Sequence, residues 1–293
     1  MVPARMIDTG SGLFKRSASA VVMIPAALGI IYLGGLPFYA FLGIVWALLA
    51  HEWHGMPSRA RARIRYPGGW QRLAYRALYV LYALTPLSAS LLDGRGMAGS
   101  ASFAAFLVLP AAIMLFLQPF MLVYGKYSPD ERGLTAWILL GFLYSAPTIL
   151  SLVFLREYHG PFMIFWLFAV VWGTDIGAYF TGRRLGGPKL APRISPNKTW
   201  SGFFGGILWA VIAAAAVAAL SGYSVGASLW GGVVLSIVSQ FGDLYESFIK
   251  RKLDVKDSGS IIPGHGGILD RVDGLLFAAP VMALAVYYGV LRL

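Results

Sequence analysis

Nine apolar runs punctuate this chain, and several are long enough to cross a bilayer. They lie at about 19–34, 36–50, 77–92, 99–118, 134–155, 161–180, 202–221, 226–242 and 274–291. A spanning helix needs about 20 apolar residues, so the pattern predicts an all-α polytopic membrane protein with about nine transmembrane helices. The first two runs are short and share Gly34-Gly35-Leu36-Pro37, which predicts a tight hairpin. Composition agrees: of 293 residues, 58% are hydrophobic and 13% charged, about half the charge of an average soluble domain. A soluble enzyme and a disordered chain are both excluded on that basis. With no cysteine, disulfide frameworks, thiolate zinc sites, iron–sulfur clusters and cysteine nucleophiles are excluded too.

Orientation follows from the basic residues. With the N-terminus in the cytosol, the cytosolic segments are 1–18, 51–76, 119–133, 181–201 and 243–273. They hold 3, 6, 2, 5 and 5 Lys and Arg, which is 21 of the 24. Only Arg95, Arg156 and Arg292 fall on the other side. The split predicts nine spans, a cytosolic N-terminus and a C-terminus on the opposite side. The net charge of +11 therefore reads as loop bias, with no nucleic-acid partner. Lys15 and Arg16 precede an apolar run without a cleavage site after it, so the first span is expected to stay uncleaved. The alternating arm Arg59–Arg65 reads as positive-inside signal and contact with anionic headgroups. The whole of 1–293 is expected to form one integral membrane domain. Residues 1–160 supply N-terminal helices and a basic cytosolic loop, and 161–293 supply catalytic helices and loops.

The carboxylates are unevenly placed. Seven of thirteen lie between 175 and 273: Asp175, Asp243, Glu246, Asp254, Asp257, Asp270 and Asp273. Asp175 sits in an otherwise uncharged run, roughly 7–8 Å below its cytosolic end at 1.5 Å per residue. An ionisable group at that depth points to function. Asp243 and Glu246 end the eighth run at i, i+3, with Lys250 one turn on, and Asp270 and Asp273 repeat the spacing where the ninth begins. Two carboxylates one turn apart can share a divalent cation, since Mg²⁺ in phosphoryl-transfer sites takes one or two carboxylates, phosphates and water. His51, Glu52 and His54 have His-Glu-x-His spacing, which does not match a zinc helix, and are expected to be interfacial.

Cationic, glycine-rich loops stand beside these acids. Gly182-Arg183-Arg184-Leu185-Gly186-Gly187-Pro188-Lys189 is not a P-loop but can offer N–H groups and cations to phosphate. Ser195-Pro196-Asn197-Lys198-Thr199 leads into the seventh span, where a helix start favours an anion. The last loop carries Pro263-Gly264-His265-Gly266-Gly267 before Asp270-Arg271-Val272-Asp273.

Residues 247–273 resemble the signature of the phosphatidate cytidylyltransferases, or CDP-diacylglycerol synthases. The pattern runs Ser247-x-apolar-Lys250-Arg251, four residues, Lys256-Asp257, Pro-Gly-His-Gly-Gly at 263–267, and Asp270-Arg271-x-Asp273. Asp175, Ala178-Tyr179, Gly182-Arg183, Lys189, Ser195-Pro196-x-Lys198-Thr199, Gly242-Asp243 and Glu246-Ser247 extend the likeness over about 175–275. The N-terminal half shares only hydropathy and Glu52-Trp53. Two positions depart: Ser201 stands where the family often has Glu, and Gly274 where it often has Ser or Ala.

The resemblance implies CMP transfer from CTP to phosphatidic acid, for phospholipid synthesis, at the cytosolic face of a bacterial inner membrane. It implies Mg²⁺, with room for a second cation, and allows a homodimer. Metal binding falls to Asp243, Asp270 and Asp273, with Asp175 a weaker candidate. Catalytic roles fall to Asp243, Lys250, Lys256, Asp270, Arg271 and Asp273. Substrate binding falls to Arg183, Lys189, Ser195, Lys198, Thr199, Glu246, Ser247, Arg251, Asp257, His265, Gly266 and Gly267. The competing class is a transporter or channel built around Asp175, against which stand the absence of inverted repeats and the crowding of charge on one face. A CDP-alcohol phosphotransferase would need an Asp-Gly-x-x-Ala-Arg run that Asp93-Gly94-Arg95 does not supply.

Overall fold

A computed structural model of the chain describes residues 24–59, 131–261 and 266–293. The predicted spans at 77–92 and 99–118, the basic arm beyond Arg59, and His265 lie outside them. Among the described residues there are seven helices: α1 (Ile24–Leu33), α2 (Gly35–Arg59), α3 (Glu131–His159), α4 (Pro161–Leu185), α5 (Trp200–Ser221), α6 (Val225–Lys252) and α7 (Leu269–Tyr287). Four of them (α2, α4, α5 and α6) carry stretches long and apolar enough to cross a membrane. The chain is a mostly helical integral membrane protein.

The expected first hairpin is present. Gly34 and Gly35 both take positive φ, 67° and 56°, a region that glycine enters without steric cost. Arg156 at the end of α3 donates to the carbonyls of Ile31 (2.6 Å) and Tyr32 (2.9 Å), which satisfies the end of α1. The second helix differs from expectation. It runs nine residues past the predicted end at 50, because Glu52, Trp53, His54 and Met56 are buried against other helices. Tertiary contact, not bilayer hydropathy, sustains that last stretch.

Among the described helices, α4 and α5 share the most extensive contact. A Cβ on Gly205 would lie 2.3 Å from the Thr181 side chain, and one on Gly202 would lie 2.9 Å from the Ala178 carbonyl. Small residues let membrane helices approach this closely. Gly205→Val is accordingly expected to cost about 1–3 kcal/mol, the usual range for overpacking. Thermal unfolding in detergent checks it, and an unchanged midpoint would mean the two helices can separate freely.

A second contact ties the N-terminal helices to the rest. Trp53 of α2 and Trp137 of α3 stack with centroids 4.4 Å apart, and each indole N–H donates to the other's backbone carbonyl at 2.9 Å. Tyr144, Tyr245, Ile249, Leu269 and Leu276 belong to the same buried cluster. The starts and ends of α2, α3, α6 and α7 are thereby held around one point.

The helical expectation holds for the described residues apart from one short connection. A small antiparallel hairpin joins α4 to α5: β1 (Lys189–Ala191) pairs with β2 (Ser195–Thr199). Gly186 and Gly187 take positive φ, 61° and 101°, and Pro188 follows, so the helix stops abruptly. The Trp200 N–H donates to the Pro188 carbonyl at 3.1 Å, which closes the hairpin onto the start of α5.

Candidate active site

The candidate residues gather where α4, α6 and α7 meet the hairpin. Thr199 is the N-cap of α5; its hydroxyl accepts from the Gly202 N–H at 3.1 Å. That cap fixes the end of β2, and the preceding residue, Lys198, reaches Asp243 on α6 at 2.5 Å. Ser247, one turn further along α6, donates to Asp243 Oδ1 at 3.4 Å. The first carboxylate of the set is therefore placed by both hairpin and helix.

Asp273 does not turn the same way as Asp270, although three residues separate them on α7. Asp273 takes the Gly274 N–H at 2.8 Å. It feels the repulsion of Asp243 and of Asp175, and Asp175 in turn feels Asp243 together with the attraction of Lys198 and Arg271. Three carboxylates from three helices thus share one electrostatic neighbourhood. Among the described residues no three acidic or histidine side chains form a ready-made cation cage. The donor chemistry nevertheless fits Mg²⁺, which needs only one or two carboxylates when phosphates and water supply the remainder.

Asp270 has a different set of partners. It accepts from Lys250 Nζ (2.7 Å), from the Ser258 N–H on both oxygens (3.1 and 3.0 Å), and from the Gly267 N–H (3.1 Å). These four contacts fill the lone-pair positions of one carboxylate. Burial pushes the Asp270 carboxyl up, but the Lys250 ammonium and the Ser258 N–H outweigh it and hold the group below its ordinary range. Any metal role for Asp270 competes with this structural one.

Glu246 is fully buried and pairs with Lys250 at 3.1 Å. Arg251 donates to the carbonyls of Ile194 and Val255, both at 3.2 Å, and so links α6 to the hairpin turn. Arg183 donates to the Tyr179 hydroxyl at 2.6 Å and lies over its ring. Lys189, Lys256, Asp257 and Arg271 are exposed, and Ser195 is half-buried. Gly266 takes φ +82°, while the N–H of its neighbour Gly267 is committed to Asp270.

A cavity of about 440 Å³ opens onto the acidic group. Its polar end carries Asp175, Asp270, Arg271 and Asp273, and the remainder is almost wholly apolar, with Phe41, Val45 and Leu152 among its walls. A lipid tail and a charged headgroup could occupy the two ends together.

Of the three residues expected at the interface, His51 is exposed and two are not where sequence reading put them. Glu52 and His54 are buried, 1% and 3% exposed, and are not interfacial. Glu52 accepts from Ser258 Oγ at 3.2 Å and from the Leu269 N–H at 2.8 Å. The one signal that pointed to it was the shared Glu52-Trp53 pair.

Ser201 offers a local test. Its hydroxyl donates to the Gly186 carbonyl and contacts Thr199 Oγ1 at 3.0 Å. A carboxylate in the first turn of a helix is favoured by the dipole, so Ser201→Glu is expected to retain partial activity, within about tenfold of the parent. Complete loss in a folded variant would show that the turn is built around the smaller residue.

The cytidylyltransferase family model matches residues 14–289. The chain is 40% identical over 280 residues to a phosphatidate cytidylyltransferase of Brucella suis biovar 1, covering 94% of this chain and 93% of that protein. It is 35% identical over 276 residues to one of Pseudomonas aeruginosa, covering 92% and 96%. A third, of Bacillus subtilis, is 42% identical over 175 residues, covering 58% and 64%.

Proposed function

The chain belongs to the cytidylyltransferase family, and from that premise we propose that it transfers CMP from CTP to phosphatidic acid, releasing pyrophosphate and giving CDP-diacylglycerol. The observation that carries this reading is the position of Asp175, Asp273 and Arg271 at the polar end of an apolar cavity, with the Lys198–Asp243 pair electrostatically coupled to those acids. Such a site suits a substrate with a phosphate head and a hydrocarbon tail, and a second substrate carrying a triphosphate. A transporter has no use for the cationic ring around the acids and is not favoured.

In the reaction a phosphatidate oxygen attacks the α-phosphorus of CTP, and the bond to the β-phosphate oxygen breaks. The substrate oxygen is already anionic, so no protein nucleophile is needed. Two anions must be brought together, and fixed positive charge lowers that cost. Lys198 pairs with Asp243 and Arg271 lines the cavity with Asp175 and Asp273, and Lys256, Lys189, Arg183 and Arg251 serve as further phosphate contacts. Ser195, Thr199, Glu246, Ser247, Asp257, His265, Gly266 and Gly267 complete the proposed substrate-binding set. Lys250 and Asp270 shape the loop that presents Arg271. A divalent cation, Mg²⁺ in this proposal, would be held by Asp243 and Asp273 with Asp175 beside them, and would neutralise charge on the transferring phosphoryl group. A second cation and a homodimer belong to the same proposal, as do a bacterial inner-membrane location and a cytosolic site formed mainly by 161–293.

Purified protein given radiolabelled CTP, phosphatidic acid and Mg²⁺ should form a labelled lipid that depends on all three. Failure to label lipid would overturn the reading. Ser260 is exposed, so Ser260→Cys in this cysteine-free chain should react with an impermeant thiol reagent from the cytosolic side alone.

A further inference from the structure

Glu52 stands on α2, far in sequence from the loop it touches. A buried carboxylate is costly unless hydrogen bonds meet it, and those of Glu52 come from both ends of the last loop. The Ser258 hydroxyl donates to Oε2 from one end and the Leu269 N–H from the other. Leu269 opens α7, and the N-cap residue Ile268 provides no side-chain cap. The first N–H groups of a helix have no intrahelical partner and are normally met by a side-chain oxygen at the N-cap. Here that oxygen arrives from another helix, 217 residues away.

Two glycines make room for it. A Cβ on Gly259 would lie 2.3 Å from Glu52 Oε1, and one on Gly267 would lie 2.6 Å from Oε2. Neither glycine takes positive φ, so backbone conformation does not explain them; the Glu52 carboxylate fills the space at Gly259, and the Ser258 hydroxyl together with that carboxylate fills it at Gly267. Ser258 is thus gripped twice, its hydroxyl by Glu52 and its N–H by Asp270. Arg271 and Asp273 follow Leu269 by two and four residues, within or just past the first turn of α7.

We propose that Glu52 is a positioning residue for the reaction: by capping α7 from α2 and tying Ser258 to Leu269, it fixes where Arg271 and Asp273 stand. Its effect on turnover rests on the function proposed above, whereas its effect on the loop does not. The test combines hydrogen–deuterium exchange with kinetics on the full chain in detergent, for Glu52→Ala, Glu52→Gln, Ser258→Ala and Gly259→Ala. In Glu52→Ala, exchange across 258–261 and 266–271 should rise about tenfold or more, with α4 to α6 unchanged. Its kcat should fall about 10–100-fold, more than KM for CTP rises, as misplacement of reacting groups predicts. Glu52→Gln keeps an acceptor oxygen and should recover most of that loss. Gly259→Ala should reproduce the Glu52→Ala effect, and the double variant should be no worse than either alone.

Unchanged exchange at 266–271 in Glu52→Ala would overturn the proposal. Raised exchange with unchanged kcat would overturn the positioning role as well. If Glu52→Ala does not fold, Gly259→Ala and Ser258→Ala, each expected to raise exchange at 266–271 and lower kcat, decide by the same two readouts. If the parent protein turns over no CTP and phosphatidate, the proposed function falls, and exchange still decides whether Glu52 holds the loop.

Discussion

Asp273→Asn is expected to slow CMP transfer about 10²–10³-fold while leaving the protein folded. Asn keeps the size and the acceptor that takes the Gly274 N–H, and it removes one of three mutually repelling charges. Relief of that repulsion favours the folded state, so lost activity would not come from unfolding. What disappears is a carboxylate able to hold a cation against the triphosphate. Metal-assisted charge stabilisation is worth several kcal/mol, and a loss of about 3–4 kcal/mol is roughly 10²–10³ in rate. Asp243→Asn should behave alike, with the added release of Lys198. Asp270→Asn should differ. Its contacts are to Lys250, Ser258 and Gly267, so its loss should follow loop order without moving the Mg²⁺ dependence. Initial rates against Mg²⁺ concentration for the three variants separate the roles. Parental rates and Mg²⁺ dependence in Asp273→Asn would remove it from the metal set, and a shifted Mg²⁺ dependence in Asp270→Asn would return that residue to it.

That contrast marks the limit of reading spacing alone. The i, i+3 interval put Asp270 and Asp273 on one helix face, and the helix is there. Spacing could not say that N–H groups from Ser258 and Gly267 would claim Asp270, because those donors come from a loop folded back over the helix start. The apolar runs were legible wherever lipid or core demands hydrophobicity, as in α4 and α5. The end of α2 was not, since Glu52 and His54 look like the polar edge of a span. Both are instead buried, and Glu52 is met by Ser258 and Leu269, more than 200 residues away. Lys198 beside Asp243 was likewise beyond a local reading, because the hairpin that delivers it contains Pro196 and follows two glycines, which read as loop.

Lys250→Met is expected to be the most destabilising single change at the site. Lys250 stands between Glu246 at 3.1 Å and Asp270 at 2.7 Å, and none of the three side chains is more than 12% exposed. Lys250 is the cation that Glu246 and Asp270 share. Methionine preserves the length and the apolar stem but withdraws the cation, so two carboxylates are left facing each other away from water. Breaking a buried pair by removing one partner typically costs about 3–5 kcal/mol, well above the usual effect of a point substitution. The cost belongs to the stranded charges, which makes it reversible in a defined way. Adding Glu246→Gln to Lys250→Met removes one of them and should recover part of the stability, whereas Glu246→Gln alone should cost less than Lys250→Met. Thermal unfolding of the parent, both single variants and the double variant in one detergent completes the cycle. A Lys250→Met protein as stable as its parent, with a raised KM for CTP, would move Lys250 out of the fold's internal network and make it a direct contact of the triphosphate.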